Sequence, residues 1–135
     1  MLIRIQQEPI DLSYVINSMR NAEAGAIVTF IGTVRNTSGS TPVTGLYYES
    51  YTEMAEKNIR AIIDDAISKF GVLDISVIHR IGYVGLTEDS VAVCVSSPHR
   101  KEAFLACEFV IDRIKETVPI WKKDLGADGK EKWRD

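Results

Sequence analysis

The basic side chains in the last third of the chain are the residues best suited by type and spacing to chemistry on a small anion. Residues 99–135 hold nine lysines and arginines against eight acids, whereas residues 1–98 hold seven against eleven. In this region Ser97 and Pro98 have the pattern of an N-cap and a first helical residue. A helix start attracts anions, and a cation placed there is unfavourable without one. We therefore predict that Arg100 lies near an anionic group.

Two lysines follow, one late on the same predicted helix and one on the strand after it. Helical projection assigns Phe104 to the apolar core stripe and places Lys115 at the edge of that stripe, and Arg100 leans towards the same side. Lys122 and Lys123 alternate on the strand, so that one can face a pocket while the other faces water. A partly desolvated lysine near other cations has a lowered pKa, which suits acid–base or nucleophilic work. The alternatives are snorkelling side chains, ordinary salt bridges and a basic edge strand that discourages aggregation.

Arg35 is a third candidate, because it ends a predicted strand and opens the loop of residues 36–42. A strand end beside a loop is a common position for an arginine that holds a ligand, although a structural arginine is the alternative. Gly32, three residues earlier, would let a ligand or another backbone approach closely. We expect Arg35, Arg100, Lys115 and Lys122 to meet in one hollow at the start of the third helix. His99 could be a general acid or base, with a helix cap or a hydrogen-bond partner as the alternative, and His79 is predicted to be structural.

Patterns for other kinds of chemistry are missing from the sequence. The two cysteines, Cys94 and Cys107, fall in apolar segments, and we predict that they are buried hydrophobic residues. We find no metal-ligand cluster, phosphate-binding loop, dinucleotide fingerprint or Ser/His/Asp pattern. We therefore predict neither a metal nor a cofactor.

The hydrophobic pattern predicts an α+β fold with a mixed or largely antiparallel sheet, on which three helices pack. The predicted order is β-α-β-β-α-β-β-α-β-β, with residues 36–42 as a loop, 82–85 as a turn and 126–129 as a hairpin turn. The predicted helices span residues 11–19, 53–70 and 98–116, and the predicted strands span residues 2–6, 24–34, 43–50, 73–80, 90–96, 118–122 and 132–133.

Length and composition favour a single globular domain over residues 1–135. We see no signal peptide and no apolar run near the ~20 residues of a membrane span, so we expect a cytoplasmic protein that binds no membrane. A net charge of -3 and a pI near 5.4 argue against a nucleic-acid-binding protein. Leu105 and Phe109 project away from the core stripe of the third helix, which predicts an oligomer or a partner protein there.

Five short motifs, in one order along nearly the whole chain, carry a family resemblance. They are Val28 to Asn36, Tyr48 to Tyr51 with Met54, His79 to Gly82, Ser97 to Arg100 with Ala103 and Phe104, and Lys115 followed by Pro119 to Lys122. Each motif alone is weak, but the set is specific. Together they resemble the catalytic (large) subunit of molybdopterin synthase.

The resemblance implies a fold, partners and a reaction. The fold is an α/β hammerhead, and two large subunits form a homodimer with a small ubiquitin-like sulfur-carrier subunit at each end, giving a heterotetramer. The partner's C-terminal Gly-Gly tail carries a thiocarboxylate into the pocket of the large subunit. Sulfur is transferred twice to cyclic pyranopterin monophosphate, which forms the dithiolene of molybdopterin. This reaction makes the protein a sulfurtransferase of molybdenum cofactor biosynthesis.

The resemblance also implies roles for the candidate residues. Lys115 corresponds to the essential lysine, for acid–base work or transient contact with the carbonyl carbon of the tail. Lys122 is its helper, which lowers the pKa of Lys115 and stabilises developing negative charge. The implied substrate-binding residues are Phe30, Arg35, His99 and Arg100. The alternative function is a non-catalytic regulatory or binding domain for a phosphorylated metabolite, which would need the arginines but not Lys115.

Overall fold

The computed structural model describes residues 1–134, which form three helices and nine strands. In chain order the elements are β1 (Ile3–Gln6), α1 (Leu12–Ser18), β2 (Ala26–Thr33), β3 (Thr37–Ser38), β4 (Thr41–Ser50), α2 (Thr52–Phe70), β5 (Asp74–Arg80), β6 (Gly82–Gly85), β7 (Asp89–Ser97), α3 (Arg100–Thr117), β8 (Ile120–Gly126) and β9 (Glu131–Trp133).

The strands form two sheets. The first has the order β1-β5-β7-β2, in which only the β1–β5 pair is parallel. The second has the order β3-β4-β8-β9, and β6 pairs with β4 in addition. The predicted α+β class with three helices and mixed or antiparallel strands is confirmed, with two sheets in place of the one expected. Strand β2 lies at an edge of the first sheet, and its outer side pairs with no other strand of residues 1–134.

The main core lies between the first sheet and two helices. Strand β7 is buried from Ser90 to Ser97, because α2 and α3 cover one face of the sheet and α1 covers the other. Helix α2 ends at Gly71, whose φ of 68° is the left-handed conformation expected of a glycine C-cap. A smaller cluster that includes Leu46, Tyr48 and Val84 packs the second sheet. None of the helices described over residues 1–134 has the length and apolar character needed to cross a bilayer.

Two short strands were missed by the sequence patterns. The predicted loop of residues 36–42 contains β3, which pairs with the start of β4 across a turn in which Gly39 has a φ of 61°. The predicted turn of residues 82–85 is β6, which pairs with β4 over its whole length. Each strand has too few apolar residues to show an alternating pattern, so turn-forming residues dominate the sequence there.

Helix α3 begins two residues later than predicted. Its N-cap is His99, which makes no side-chain capping hydrogen bond, and Ser97 still belongs to β7. The backbone N–H of Gly25 donates to the Ser97 carbonyl oxygen at 3.0 Å, which extends the strand pairing. A Cβ atom on Gly25 would lie 2.4 Å from the Pro98 carbonyl oxygen, so this close approach requires glycine.

Two aromatic residues of α3 face other directions than predicted. Phe104, assigned to the core stripe, is 61% exposed. Phe109, predicted to be exposed, packs against Phe70 of α2 with ring centroids 5.6 Å apart. Helix α2 packs beside α3, so the face of α3 near Phe109 is part of the contact between the two helices. The exposed apolar residues of α3 are therefore Phe104 and Leu105.

Candidate functional site

A cationic cavity lies at the carboxyl end of α3, where elements of both sheets meet. It has two adjoining lobes that share Tyr48, Lys115, Lys122 and Arg134 in their walls. We call them the Arg35 lobe, of about 360 Å³, and the Trp121 lobe, of about 390 Å³, after one residue that lines each. The Arg35 lobe adds residues from the end of β2, and the Trp121 lobe adds residues from β5 and from the connection between α3 and β8.

The cavity brings together four of the six predicted site residues. Phe30 and Arg35 come from β2 and the segment after it, Lys115 from the last turn of α3, and Lys122 from β8. The cation in the last turn of α3 also suits the negative end of the helix dipole. Three distant segments therefore place three cations around one small volume. This convergence of charge is the arrangement that the sequence analysis expected.

The remaining two predicted residues lie elsewhere in the chain. His99 and Arg100 are exposed at the opposite end of α3 and do not line the cavity. Fifteen residues separate Arg100 from Lys115, which is roughly 22 Å along a helix axis. The expectation that all the cations meet at the start of α3 is therefore wrong within a single chain. The length of the helix separates its two basic ends.

Lys122 has the most perturbed ammonium group of the cavity. Burial lowers its pKa to about 8, and the charges of Arg134, Lys115 and Arg35 act in the same direction, while Asp124 opposes them. The charge of Lys115 is thus one of the causes of the lowered pKa of Lys122.

His79 and Tyr48 line the Trp121 lobe beneath the lysines. The His79 Nδ1 atom lies 2.7 Å from the Arg80 carbonyl oxygen, and its ring meets the Tyr48 ring edge-on at 5.1 Å. Burial lowers the pKa of His79 to about 4, and the charges of Lys115 and Lys122 add to this effect. Burial also raises the pKa of Tyr48. Both side chains are therefore neutral at physiological pH.

Arg134 is a cavity residue that the sequence analysis did not identify. It lines both lobes, and its Nε atom donates to the Asp124 Oδ1 atom at 2.7 Å. A basic residue just beyond a closing strand was a weak signal, because the register that brings it beside β8 depends on the hairpin between β8 and β9.

A larger hollow lies next to the cavity but has a balanced charge. It measures about 620 Å³ between the β3–β4 and β8–β9 hairpins. Three acids face three bases in its wall, so it presents no excess of either sign. The charged residues that line it are Asp124, Asp128, Glu131, Lys130, Lys132 and Arg134.

Neither cysteine of the chain lines the cavity. Cys94 and Cys107 are buried, as predicted, and burial raises both pKa values, that of Cys107 to about 11. Over residues 1–134 no group of three or more histidine, cysteine, aspartate or glutamate side chains is arranged to hold a metal ion. Fold and site together define a class: an α+β protein with a small cationic cavity that contains a lysine of lowered pKa.

Comparison with known proteins identifies the family. The model of the family described as MoaE protein matches residues 5–117. The molybdopterin synthase catalytic subunit of Thermoplasma volcanium is 54% identical, over 97% of this chain and 96% of its own length. The crystal structure of molybdopterin synthase from Staphylococcus aureus superposes with a TM-score of 0.92 at 40% identity, covering 97% of this chain and 95% of that one. The chain belongs to the MoaE family, and the family predicted from its motifs is confirmed.

A more distant structure shares the fold and is itself a complex. It is the protein–protein complex of subunits 1 and 2 of the molybdopterin-converting factor from Helicobacter pylori, with a TM-score of 0.82 at 23% identity. The match covers all of this chain and 91% of that one. At this identity the likeness concerns the fold alone.

Proposed function

We propose that this chain is the catalytic subunit of a molybdopterin synthase, a sulfurtransferase of molybdenum cofactor biosynthesis. It transfers sulfur from the thiocarboxylated C-terminus of a small ubiquitin-like subunit to cyclic pyranopterin monophosphate and so forms the dithiolene. The observation that carries the proposal is the meeting of Arg35, Lys115 and Lys122 in one cavity of a MoaE family chain. These cations come from three segments far apart in sequence.

The charge of the cavity suits both reactants, because the substrate phosphate and the donor thiocarboxylate are anions. Arg35 keeps its charge at every physiological pH and can form paired hydrogen bonds to phosphate oxygens. Phe30, in the same lobe, offers an aromatic surface to the pterin or to the tail. These contacts would hold the phosphate at the Arg35 lobe and leave the Trp121 lobe for the donor tail.

The two lysines supply the proton transfers. Lys115 is the residue we assign to acid–base work or to contact with the carbonyl carbon of the tail, as expected from the family resemblance. With a pKa of about 8, Lys122 is a free amine in about a tenth of molecules at pH 7. The ammonium form that remains can stabilise negative charge as it develops. Sulfur arrives on the partner, so the reaction needs no thiol from this chain.

An exposed apolar patch beside the Trp121 lobe supports docking of the small subunit. The Tyr51 and Trp121 rings meet edge-on at 5.1 Å, and both are exposed. Met54, also exposed, follows one turn later on α2. Three large apolar side chains at the mouth of a cavity form a surface that a partner would bury. A tail that leaves this interface would enter the Trp121 lobe directly.

The free edge of β2 supports a homodimer. Eight residues of this strand present an outer edge that pairs with no strand of residues 1–134, and Phe104 of α3, a helix that packs on β2, is exposed. An unpaired apolar strand edge is a template for pairing with a second copy. We propose that two copies join their β2 edges antiparallel about a two-fold axis.

Such a dimer would give His99 and Arg100 a place at the site. In antiparallel pairing, the start of β2 in one copy lies beside the end of β2 in the other. The start of α3 lies near the start of β2, because Ser97 pairs with Ala26. Arg35 follows the end of β2. His99 and Arg100 of one copy would then reach the Arg35 lobe of the other. Their predicted anion-binding role therefore depends on the second copy.

The rival function is a non-catalytic domain that binds a phosphorylated metabolite. Such a domain would use Arg35 to hold the phosphate, but it would have no use for a lysine with a lowered pKa beside the anion. The pKa of Lys122 therefore favours the enzyme. The cytoplasmic location and the single domain over residues 1–135 stay predictions.

Reconstitution tests the proposed function. The chain is mixed with a thiocarboxylated small subunit and cyclic pyranopterin monophosphate, and dithiolene formation is assayed. The matched control is the same mixture with the carboxylate form of the small subunit, which has no sulfur to give. Dithiolene in the first mixture alone supports the enzyme. Tight pyranopterin binding without dithiolene would favour the binding domain instead.

A further inference from the structure

Arg134 and Asp124 form an ion pair in the wall of the cationic cavity, and the proposed function assigns no role to it. The bond of 2.7 Å joins Arg134 Nε to Asp124 Oδ1, and the Asp124 side chain is only 12% exposed. The backbone N–H of Arg134 also donates to the carbonyl oxygen of Lys122 at 2.9 Å. Arg134 therefore makes two hydrogen bonds to β8, one to the Asp124 side chain and one to the backbone of Lys122.

Asp124 is also well placed to pair with Lys122. The two residues are two positions apart on β8, so their side chains project from the same face of the strand, about 7 Å apart at their bases. The flexible lysine side chain can cover that distance. Yet the ion pairs found among residues 1–134 include none made by Lys122. Arg134 occupies the carboxylate instead.

Within residues 1–134, the other groups that line the cavity offer Lys122 no negative partner. Arg35 and Lys115 face it as cations, and burial keeps Tyr48 and His79 neutral at physiological pH. Of the described groups whose charge acts on Lys122, Asp124 is the one acid. After burial, Arg134 has the largest effect in lowering the pKa of Lys122. The protonation of Lys122 therefore depends on whether the Asp124 carboxylate pairs with Arg134 or with Lys122.

We propose that Arg134 is a positioning residue: by engaging the Asp124 carboxylate, it prevents that carboxylate from pairing with Lys122 and leaves the lysine side chain free to face the substrate. Arg134 acts through Asp124 and need not touch the substrate. The proposal rests on the proposed function only for what Lys122 meets in the cavity, because the sharing of the carboxylate is a property of this chain alone.

Titration of Lys122 in the intact chain tests the proposal. Lysine labelled with ¹³C is followed by NMR across the pH range, and the Lys122 signal is assigned from its loss in Lys122→Arg. We expect a midpoint near pH 8 in the parent. Arg134→Ala raises that midpoint by about one pH unit, because a cation is lost and Asp124 is released to pair with Lys122. An unchanged or lower midpoint in Arg134→Ala overturns the proposal.

A second variant separates this effect from a general loosening of the site. Asp124→Asn removes the carboxylate for which Arg134 and Lys122 would compete, so we expect the Lys122 midpoint to fall. Opposite shifts from the two members of one ion pair are not the result of partial unfolding, which would move both midpoints towards the ordinary value of 10.5. A rise in Asp124→Asn as large as that in Arg134→Ala would therefore contradict the proposal.

Two control variants complete the design. Arg134→Lys retains a cation that can pair with Asp124, so the midpoint stays close to that of the parent. Lys123→Ala removes a cation from the neighbouring position of β8, but this side chain projects from the other face and pairs with Glu131 at 2.8 Å. It should leave the Lys122 midpoint unchanged.

The titration needs neither substrate nor partner, so it gives an answer even if reconstitution yields no dithiolene. Conversely, if dithiolene forms but the midpoint does not move, only the role of Arg134 is lost. When turnover is measurable, the rising limb of its pH profile should shift upward in Arg134→Ala by the same amount as the midpoint.

Discussion

At the scale of single residues, burial acts on two basic groups of one cavity. Lys122 is half-buried and remains partly protonated near neutrality, with a pKa of about 8. His79 is buried more deeply, has a pKa of about 4 and stays neutral. Positive charge at the site is therefore secured by Arg35 and Arg134, which do not lose their protons, while Lys122 is able to exchange one.

Replacing Lys115 tests the assignment of the essential lysine. Lys115→Ala should lower turnover by roughly 10²–10⁴-fold, the usual effect of removing an acid–base group. Binding of the small subunit, measured by calorimetry, should not change. Lys101→Ala removes an exposed lysine from the other end of α3 and serves as the control. Near-parental dithiolene formation by Lys115→Ala would remove this residue from the mechanism.

The buried His79 predicts a pH dependence of stability. Its folded pKa of about 4 lies below the ordinary value of 6.5, so between these values the unfolded chain binds more protons. Its contribution to stability is complete above pH 6.5 and is lost as the pH falls towards 4. From pH 7 to pH 5, the free energy of unfolding should fall by about 2 kcal/mol because of this residue.

Urea denaturation at the two pH values measures this difference. His79→Gln has no imidazole to titrate, so its stability should change less between pH 7 and pH 5 than that of the parent. Lys122 does not contribute in this range, because its folded and ordinary pKa values both lie above pH 7. An equal loss of stability in the parent and in His79→Gln would show that His79 is not the cause.

Residue type and local position made Arg35, Lys115 and Lys122 candidates in the sequence, and the family resemblance raised them above the structural alternatives. Each lies at the end of an element or on an alternating strand, where local rules determine direction. Arg134 could not be found in the same way, because its place beside Asp124 depends on the register of the β8–β9 hairpin. Pairing between strands is a non-local property that one short segment does not encode.

At the scale of elements, β2 and α3 together form the outer side of the first sheet. Strand β2 is long and apolar, it pairs on one side only within residues 1–134, and Phe104 of α3 is exposed. A free edge of this length is a hazard for a monomer. Covering it with a second copy would remove the hazard and bring two active sites together.

Phe104→Glu tests that interface. The side chain is exposed in one chain, so the charge should not disturb folding but should disfavour its burial between two copies. We expect the variant to shift towards the mass of a monomer in size exclusion with light scattering. Tyr14→Glu, which replaces an exposed aromatic residue of α1, should leave the assembly unchanged. The same mass for Phe104→Glu and the parent would argue against an interface on this side of α3.

The long helices and the apolar strands could be predicted because each shows its own periodicity over many residues. Helix α2 was located almost to the residue, with Gly71 as its C-cap. The start of α3 was predicted two residues too early, because Ser97 and Pro98 have the pattern of a helix start. Pairing with β2 keeps Ser97 in β7. Tertiary pairing outweighs a local capping signal there.

At the scale of the whole molecule, the cavity exists because two sheets meet beside the carboxyl end of one helix. Strand β4 contributes Tyr48 from the second sheet, and β7 contributes Val91 from the first. The sequence predicted the convergence of Arg35, Lys115 and Lys122, but it included Arg100, which lies outside the cavity, missed Arg134 and gave no sign of a second sheet. The packing of one sheet against another is decided by contacts between distant residues, so it could not be read from local patterns.

Docking of the small subunit can be tested on the apolar patch of Tyr51, Met54 and Trp121. Met54→Glu should weaken binding of the small subunit about 10–100-fold, as expected for a central apolar contact. Calorimetry with the small subunit measures the dissociation constant, and Tyr14→Glu is again the control. If Met54→Glu binds with parental affinity, the partner docks on another surface.

Because both thiols are buried in the core, we expect that isotope-labelled sulfur from the donor is not transferred to a cysteine of this chain. Intact mass spectrometry during turnover should show no persulfide on the protein, and the label should pass from donor to pterin without a pause. The cysteines of the native chain should likewise not react with a chromogenic thiol reagent until denaturant unfolds the chain. Burial of the cysteines would thus prevent side reactions between the protein and the sulfur that it transfers.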